Sequence, residues 1–331
     1  INRNCQYWSN TLCNDLHAFV YHAYKSGSHV RKCTGSNRSA GQSVRPVLPT
    51  DRELLPPPSP AKRIGIFSVA KDKQVSFSQG NLQYIQSANL WRFAENQYDY
   101  LGEENVKDGE LANRIDLFGW SANNTTAPFG ISTSTDAADY AGEFVDWGVN
   151  TISDDAPNTW RTLSIAEWEY LLKKRPNAAN LQGIAQVNGV NGLIILPDDW
   201  VCPLGINFVH GFHSDFGIDY FAQHQQFTLD QWIILEQSGA VFLPASKWRN
   251  GSTFTNSSEG GHYWSSTCGE ISTNAHYFSF GSQEAWMNSN SLHRCFAVRL
   301  VHDTIVPETI PDPCLIVTVN DTLSINLMCV E

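Results

Sequence analysis

Three groups of residues have side chains that can do chemistry. His210-Gly211-Phe212-His213 with Asp215 sets two imidazoles close to a carboxylate, a donor set that metal ions accept. Asp136, Asp139, Glu143 and Asp146 place carboxylates in one short run, and calcium asks for six to eight such oxygens. Cys295 stands between Arg294 and Phe296, where a cationic neighbour lowers a thiol pKa and makes it reactive. Each group also has a plainer reading. The histidines need further ligands from elsewhere, and their Gly/Phe context reads as a surface loop. The acids, at helix-like spacing beside Trp147, read as a solvated face. Cys295 reads as a small apolar strand residue. There is no HExxH pair, nucleophile elbow or phosphate-cradling glycine loop. No cofactor is expected, and a structural calcium is left open.

A recognition surface is better supported than a pocket. Alternation over Ala275 to Phe280 puts His276, Phe278 and Phe280 on one side of a strand, and Tyr277 and Ser279 on the other. A Gly281-Ser282-Gln283-Glu284 turn then leads to Trp286 and an Asn-rich stretch. Aromatic anchors among adaptable amides are the mixture that binding surfaces use. The candidate ligand-binding residues are Glu270, Asn274, Ser279, Gln283, Trp286, Asn288, Asn290 and His293.

The elements that must position them follow from patterning. Ile64 to Val69 and Val75 to Ser78 form one hairpin, and Leu82 to Ile85 with Leu90 to Ala94 a second. Ser164 with Glu167 is a capping box opening a helix over Ile165 to Lys174, which Pro176 ends. Thr228 with Gln231 opens another helix, with Leu229, Trp232, Ile233 and Leu235 inward and Gly239 as its stop. Strands follow at Ala240 to Leu243, His262 to Ser265, Ala275 to Phe280, Ala285 to Met287 and Phe296 to Val301. This is an α+β pattern: two helices on twisted antiparallel sheets with long loops.

The chain has 331 residues, 42% of them hydrophobic and 17% charged, with a formal charge of −11. That is enough apolar mass for a large core, and it lacks the basic footprint of a nucleic-acid binder. No apolar run approaches the roughly 18 residues needed to span a bilayer. The eight cysteines are irregularly spaced and contain no CxxC, so a zinc site is not expected and disulfide pairing stays open. Proline runs at 49–61 and 304–313 read as linkers, leaving 62–303 as a complete module. The two termini read as cut out of something longer, so a missing leader says nothing about compartment.

An internal repeat accompanies these boundaries. Tyr7-Trp8-Ser9-Asn10-Thr11 matches Tyr263-Trp264-Ser265-Ser266-Thr267, and Ser43-Val44-Arg45-Pro46-Val47 echoes Ala297-Val298-Arg299-Leu300-Val301. Residues 1–48 therefore read as the C-terminal part of a preceding module, and 314–331 as the opening hairpin of a following one.

Several separated motifs carry a family resemblance. They are Asn81-Leu82-Gln83-Tyr84, Trp91-Arg92-Phe93-Ala94, Trp160-Arg161-Thr162-Leu163, Phe242-Leu243-Pro244-Ala245 and the two repeated segments at 263–267 and 297–301. In this order they resemble the C-type-lectin-like modules related to formylglycine-generating enzymes, also seen as a Fibrobacter-type paralogous repeat. The diversified proteins of diversity-generating retroelements use the same fold. The resemblance implies an extracytoplasmic module, on a cell surface, secreted or on a virion. It would bind a cell-surface protein or glycan through the 268–294 face, with no membrane-spanning segment and no catalysis. The sugar-binding Glu-Pro-Asn, Gln-Pro-Asp and Trp-Asn-Asp tripeptides of calcium-dependent lectins are absent. The alternatives are an oxidoreductase of the formylglycine-generating kind, which needs a cysteine pair that Cys268 and Cys295 would have to supply, and a spacer that binds nothing.

Overall fold

The computed structural model describes residues 63–255 and 260–304 in full and, within the first 62 residues, the backbone of three strands. The linkers at 49–61 and 305–313 and the expected hairpin at 314–331 lie outside the described residues. By contacts the chain divides into two units, Ile1–Ser59 and Pro60–Glu331.

The first unit contains an antiparallel meander of β1 (Asn4–Asn14), β2 (His17–Tyr24) and β3 (Gly27–Arg31). The pairing runs Tyr7 to Tyr21 and Trp8 to Val20, then slips so that Leu12 meets Ala18.

The second unit opens with the two expected hairpins, β4 (Phe67–Ala70) with β5 (Lys73–Phe77) and β6 (Leu82–Ile85) with β7 (Leu90–Phe93). Asn89 turns the second at φ 46°, a left-handed conformation that asparagine tolerates. A small ribbon of β8 (Val106–Lys107) and β9 (Glu110–Leu111) precedes β10 (Arg114–Ile115), which pairs with β6. After a long stretch of short helical turns come β11 (Arg161–Thr162) and α1 (Ile165–Glu169). The Ser164/Glu167 capping box is formed in full. The chain then makes a single π-type turn over Tyr170–Lys174, and Trp168, Leu171 and Leu172 face the core.

Next, β12 (Gln182–Val187) and β13 (Val190–Ile195) make a hairpin, α2 (Asp219–His224) leads to β14 (Gln226–Phe227), and α3 (Leu229–Gln237) precedes β15 (Val241–Pro244). The last third is β16 (Trp248–Asn250), β17 (Thr253–Thr255), β18 (Gly261–Cys268), β19 (Asn274–Phe280), β20 (Ala285–Ser291), β21 (Arg294–Cys295) and β22 (Leu300–Asp303). Pairing is antiparallel throughout the sheets except where β14 joins β12. The class is therefore mixed α+β, dominated by small sheets, with few helices.

Four expectations need correction. A third helix, α2, is present. The closing strand is broken: Phe296 and Ala297 make single bridges to Phe118 and Tyr263, and regular pairing resumes only at Leu300. On α3, Trp232 and Leu235 point inward, whereas Leu229 and Ile233 are exposed and stand outside the cluster that Trp232 and Leu235 help to fill. The run 136–146 is not one helix face: Asp136 and Asp146 cap two separate short turns, while Asp136 and Glu143 do face solvent. Asp136 accepts the Ala138 N–H and Asp146 the Gly148 N–H, and Asp146 also holds both the N–H and hydroxyl of Thr162.

Among the described residues of the second unit there are three apolar clusters. One centres on Trp168 of α1 with Phe67, Tyr263 and Phe278, and another joins Trp91, Phe118, Trp147, Trp264 and Phe296. The third lies under α3 around Trp232 and Phe242.

Candidate functional site

The sheet β18-β19-β20 carries the sequence-predicted surface and is held from both sides. On one face Trp168 stacks on Phe278 with centroids 4.8 Å apart. On the other, Phe296 lies 4.5 Å from Trp264 and 4.6 Å from Tyr277. The Trp264 indole N–H donates to the Phe118 carbonyl at 2.8 Å, and the Ser265 hydroxyl to that of His276 at 2.7 Å. Buried aromatic area on both faces fixes the strands, so ordering them adds little entropy cost to binding. Among the described residues β20 pairs only with β19 and forms the sheet edge.

Register decides which candidates share a face. Tyr277 opposes Asn288, Ser279 opposes Trp286 and Ala275 opposes Asn290, so Ser279, Trp286, Asn288 and Asn290 lie on one side of the sheet. Asn274 falls on the opposite side, Gln283 in the turn, and Glu270 and His293 beyond the strand ends. Ser279 is only 4% exposed; its place on the middle strand between His262 and Trp286 covers it, which removes it from the presented set. Gln283 is committed to the fold, its amide donating to the Ser214 carbonyl at 2.6 Å. His293 Nδ1 sits 2.8 Å from the Ser291 hydroxyl, and burial with Arg294 beside it pushes its pKa down. Glu270 and Asn288 are exposed, and Asn274, Trp286 and Asn290 are half-buried. Asn288 and Asn290 each accept the N–H of the following serine at 2.8 Å.

One neighbour of this face was not anticipated. The loop over His213–Ile218 docks on the β19–β20 turn: the Ser282 hydroxyl donates to the Asp215 carbonyl and accepts the Gly217 N–H, while the His213 N–H reaches the Ser282 carbonyl. It carries Phe216, 63% exposed, and Ile218, 48% exposed. Aromatics spaced through a Gly/His/Asp loop were its one sequence signal. The imidazole of His213 stacks on Tyr220 at 4.5 Å and its Nδ1 accepts the Asp215 N–H, so local loop closure accounts for that motif. Among the described residues no group of three or more His, Cys, Asp or Glu is arranged to hold a metal.

Cys295 is buried, and Cys268 and Cys202 are exposed; all three are free thiols. Burial raises the Cys295 pKa despite Arg249 and Arg294 nearby, the reverse of the activation its cationic neighbour suggested, because desolvation outweighs the guanidinium field. Alkylation of the native protein is therefore expected to label Cys202 and Cys268 rapidly and Cys295 only after unfolding. Rapid labelling of Cys295 would mean the site opens.

The class defined at this point is a mixed α+β chain whose aromatic-backed edge hairpin faces solvent. No helix among the described residues is long and apolar enough to cross a membrane. Comparison with protein-family models, curated proteins and solved structures finds no match.

Proposed function

We propose that the chain is an extracytoplasmic binding protein of C-type-lectin-like fold that engages a cell-surface protein or glycan through the edge of β20 and works without catalysis. The observation that carries this reading is the contrast within one sheet. Its middle strand is locked between two aromatic layers, while Trp286, Asn288 and Asn290 stand along its free edge. A half-buried Trp supplies contact area at low entropy cost, and the amides adapt their hydrogen bonds. The loop bearing Phe216 and Ile218 extends the rim with apolar surface.

The repeat reading draws support from register. In β18 and β19 the pairing runs Tyr263 to Phe278 and Trp264 to Tyr277, then slips so that Cys268 meets Ala275. The slip follows the Tyr-Trp pair by the same step as in β1 and β2. A shared irregularity of this kind is a designed feature of a strand pair, so we read the first unit as part of a second copy. In this scheme the retroelement-diversified proteins are the sub-class whose display matches the 268–294 interval.

The test is a binding array of cell-surface proteins and glycans probed with the whole chain. Trp286→Ala with Asn288→Ala is expected to weaken any hit by about 30-fold, the loss of one aromatic hot spot. An array without a hit, or a hit indifferent to both substitutions, removes the proposal.

A further inference from the structure

The three-stranded sheet β10-β6-β7 has a polar outer face that the binding reading does not use. Its inner side chains, Leu82, Trp91 and Ile115, belong to the aromatic core. Alternation then turns Gln83, Arg92 and Arg114 outward together, since Gln83 opposes Arg92 and Arg114 opposes Ile85 on the same face. Tyr98, Asp99 and Tyr100 of the loop after β7 line the space above them together with Val190 at the start of β13, and the result is a half-open cavity of about 420 Å³. That volume lies within the range of small-molecule sites.

Its chemistry is mixed. Among the described residues neither Arg92 nor Arg114 forms an ion pair; Arg92 spends only its Nε, on the Phe93 carbonyl at 3.2 Å. Gln83 is 3% exposed and its Oε1 has no partner. Because the last torsion of a glutamine is broad, its carboxamide can turn toward an occupant. The carboxylates of Glu95, Asp99 and Glu104 also line the space, outnumbering the guanidinium groups. An anion would meet more negative than positive charge, and an amine would meet two guanidinium groups. A neutral molecule rich in hydroxyls suits both, giving protons to the carboxylates and lone pairs to the arginines. Tyr98 and Tyr100 also line the space, and an aromatic ring has a negative π-face that suits the polarised C–H groups of a pyranose.

We infer that this cavity is a neutral-saccharide subsite, separate from the β20 edge. Its basis is the unpaired guanidinium pair and the unpartnered Gln83 amide beside two tyrosines. The test is saturation-transfer NMR on the whole chain with methyl glucoside, methyl mannoside, methyl galactoside and N-acetylglucosamine, and sialic acid as the anionic comparison. At least one neutral sugar is expected to bind at millimolar concentration. Arg114→Met, at an exposed position that leaves the core intact, and Tyr98→Ala should each weaken it about tenfold or more. Trp286→Ala should leave it unchanged. The inference fails if no neutral sugar binds, if sialic acid is preferred, or if binding follows Trp286 and ignores the cavity variants. Failure of the β20 edge as a binding face would leave these outcomes untouched, so the two proposals fall separately.

Discussion

Replacing Arg299 by Ala is expected to cost about 4 kcal/mol of stability, within the range for emptying a large core position and stranding its polar partners. Arg299 is 1% exposed; its Nη1 donates to Asn81 Oδ1 at 3.2 Å and its Nη2 to Gln97 Oε1 at 2.6 Å. Through these amides it reaches β18, β15 and α3. Asn81 donates to the Tyr263 hydroxyl, which donates to the Pro244 carbonyl. Gln97 accepts the Phe242 N–H and donates to Glu236 at the end of α3. Burial pushes the guanidinium pKa down to about 10, so it stays protonated at neutral pH while bearing a desolvation cost. That cost sets the comparison. Arg299→Met keeps the volume and sheds the charge, so it should lose only about half as much as Ala. Lys is a poor substitute because one ammonium cannot hold both amides in the fork geometry. Urea unfolding of the three variants checks the order. For a unit of this size the Ala loss corresponds to a melting shift of roughly 8–16 °C. Equal stability of Ala and wild type would show that the network contributes nothing.

Between pH 4 and 7 the stability of Asp116→Asn and His262→Phe should diverge from wild type in opposite directions. Burial raises the Asp116 pKa from 3.8 to about 6, even though Asn105 and the Leu101 N–H bond its carboxylate. Its folded state therefore holds a proton that the unfolded chain releases. The stabilisation is full below about 3.8 and is lost as pH rises through about 6. His262, packed on Phe296 at 5.2 Å, is pushed from 6.5 to about 4 by burial. Here the unfolded chain binds the proton first, so stability present above 6.5 is lost as pH falls toward 4. Each shift corresponds to about 3 kcal/mol, and over their common window they oppose one another. Asp116→Asn should gain about 3 kcal/mol on wild type as pH rises from 4 to 7, and His262→Phe should gain as much as pH falls. Parallel profiles for all three proteins would refute both assignments.

Much of the local structure was legible in the sequence. Both capping boxes form, since a hydroxyl three positions before a Glu or Gln satisfies free N–H groups whatever surrounds it. The first two hairpins and the strands of the β18-β19-β20 meander follow from alternation. The apolar run over Leu193 to Leu196 reads as a buried strand, but its pairing with β12 does not, although Asn188-Gly189 carries the turn, with Asn188 at φ 48° and Gly189 at φ 80°; a continuous apolar run shows no period that names its partner. For the surface, Trp286, Asn288 and Asn290 were readable as one face. Ser279 was not, because alternation states which side a residue takes and never what covers that side.

By itself the amino-acid sequence determined the short-range features: caps, turns, strand periods and the Tyr-Trp repeat, all set by contacts a few residues apart. Tertiary structure alone decided that three arginines, Arg175, Arg249 and Arg299, are buried as ties to carbonyl and amide oxygens and, for Arg175, to the Asp198 carboxylate. It also decided that Cys295 is buried, with its pKa pushed up by desolvation, and that Gln83, Arg92 and Arg114 share a cavity with two tyrosines. Burial and partner choice arise from segments up to 218 positions apart, as Arg299 and Asn81 are, and no local pattern encodes how far water is excluded when such segments meet.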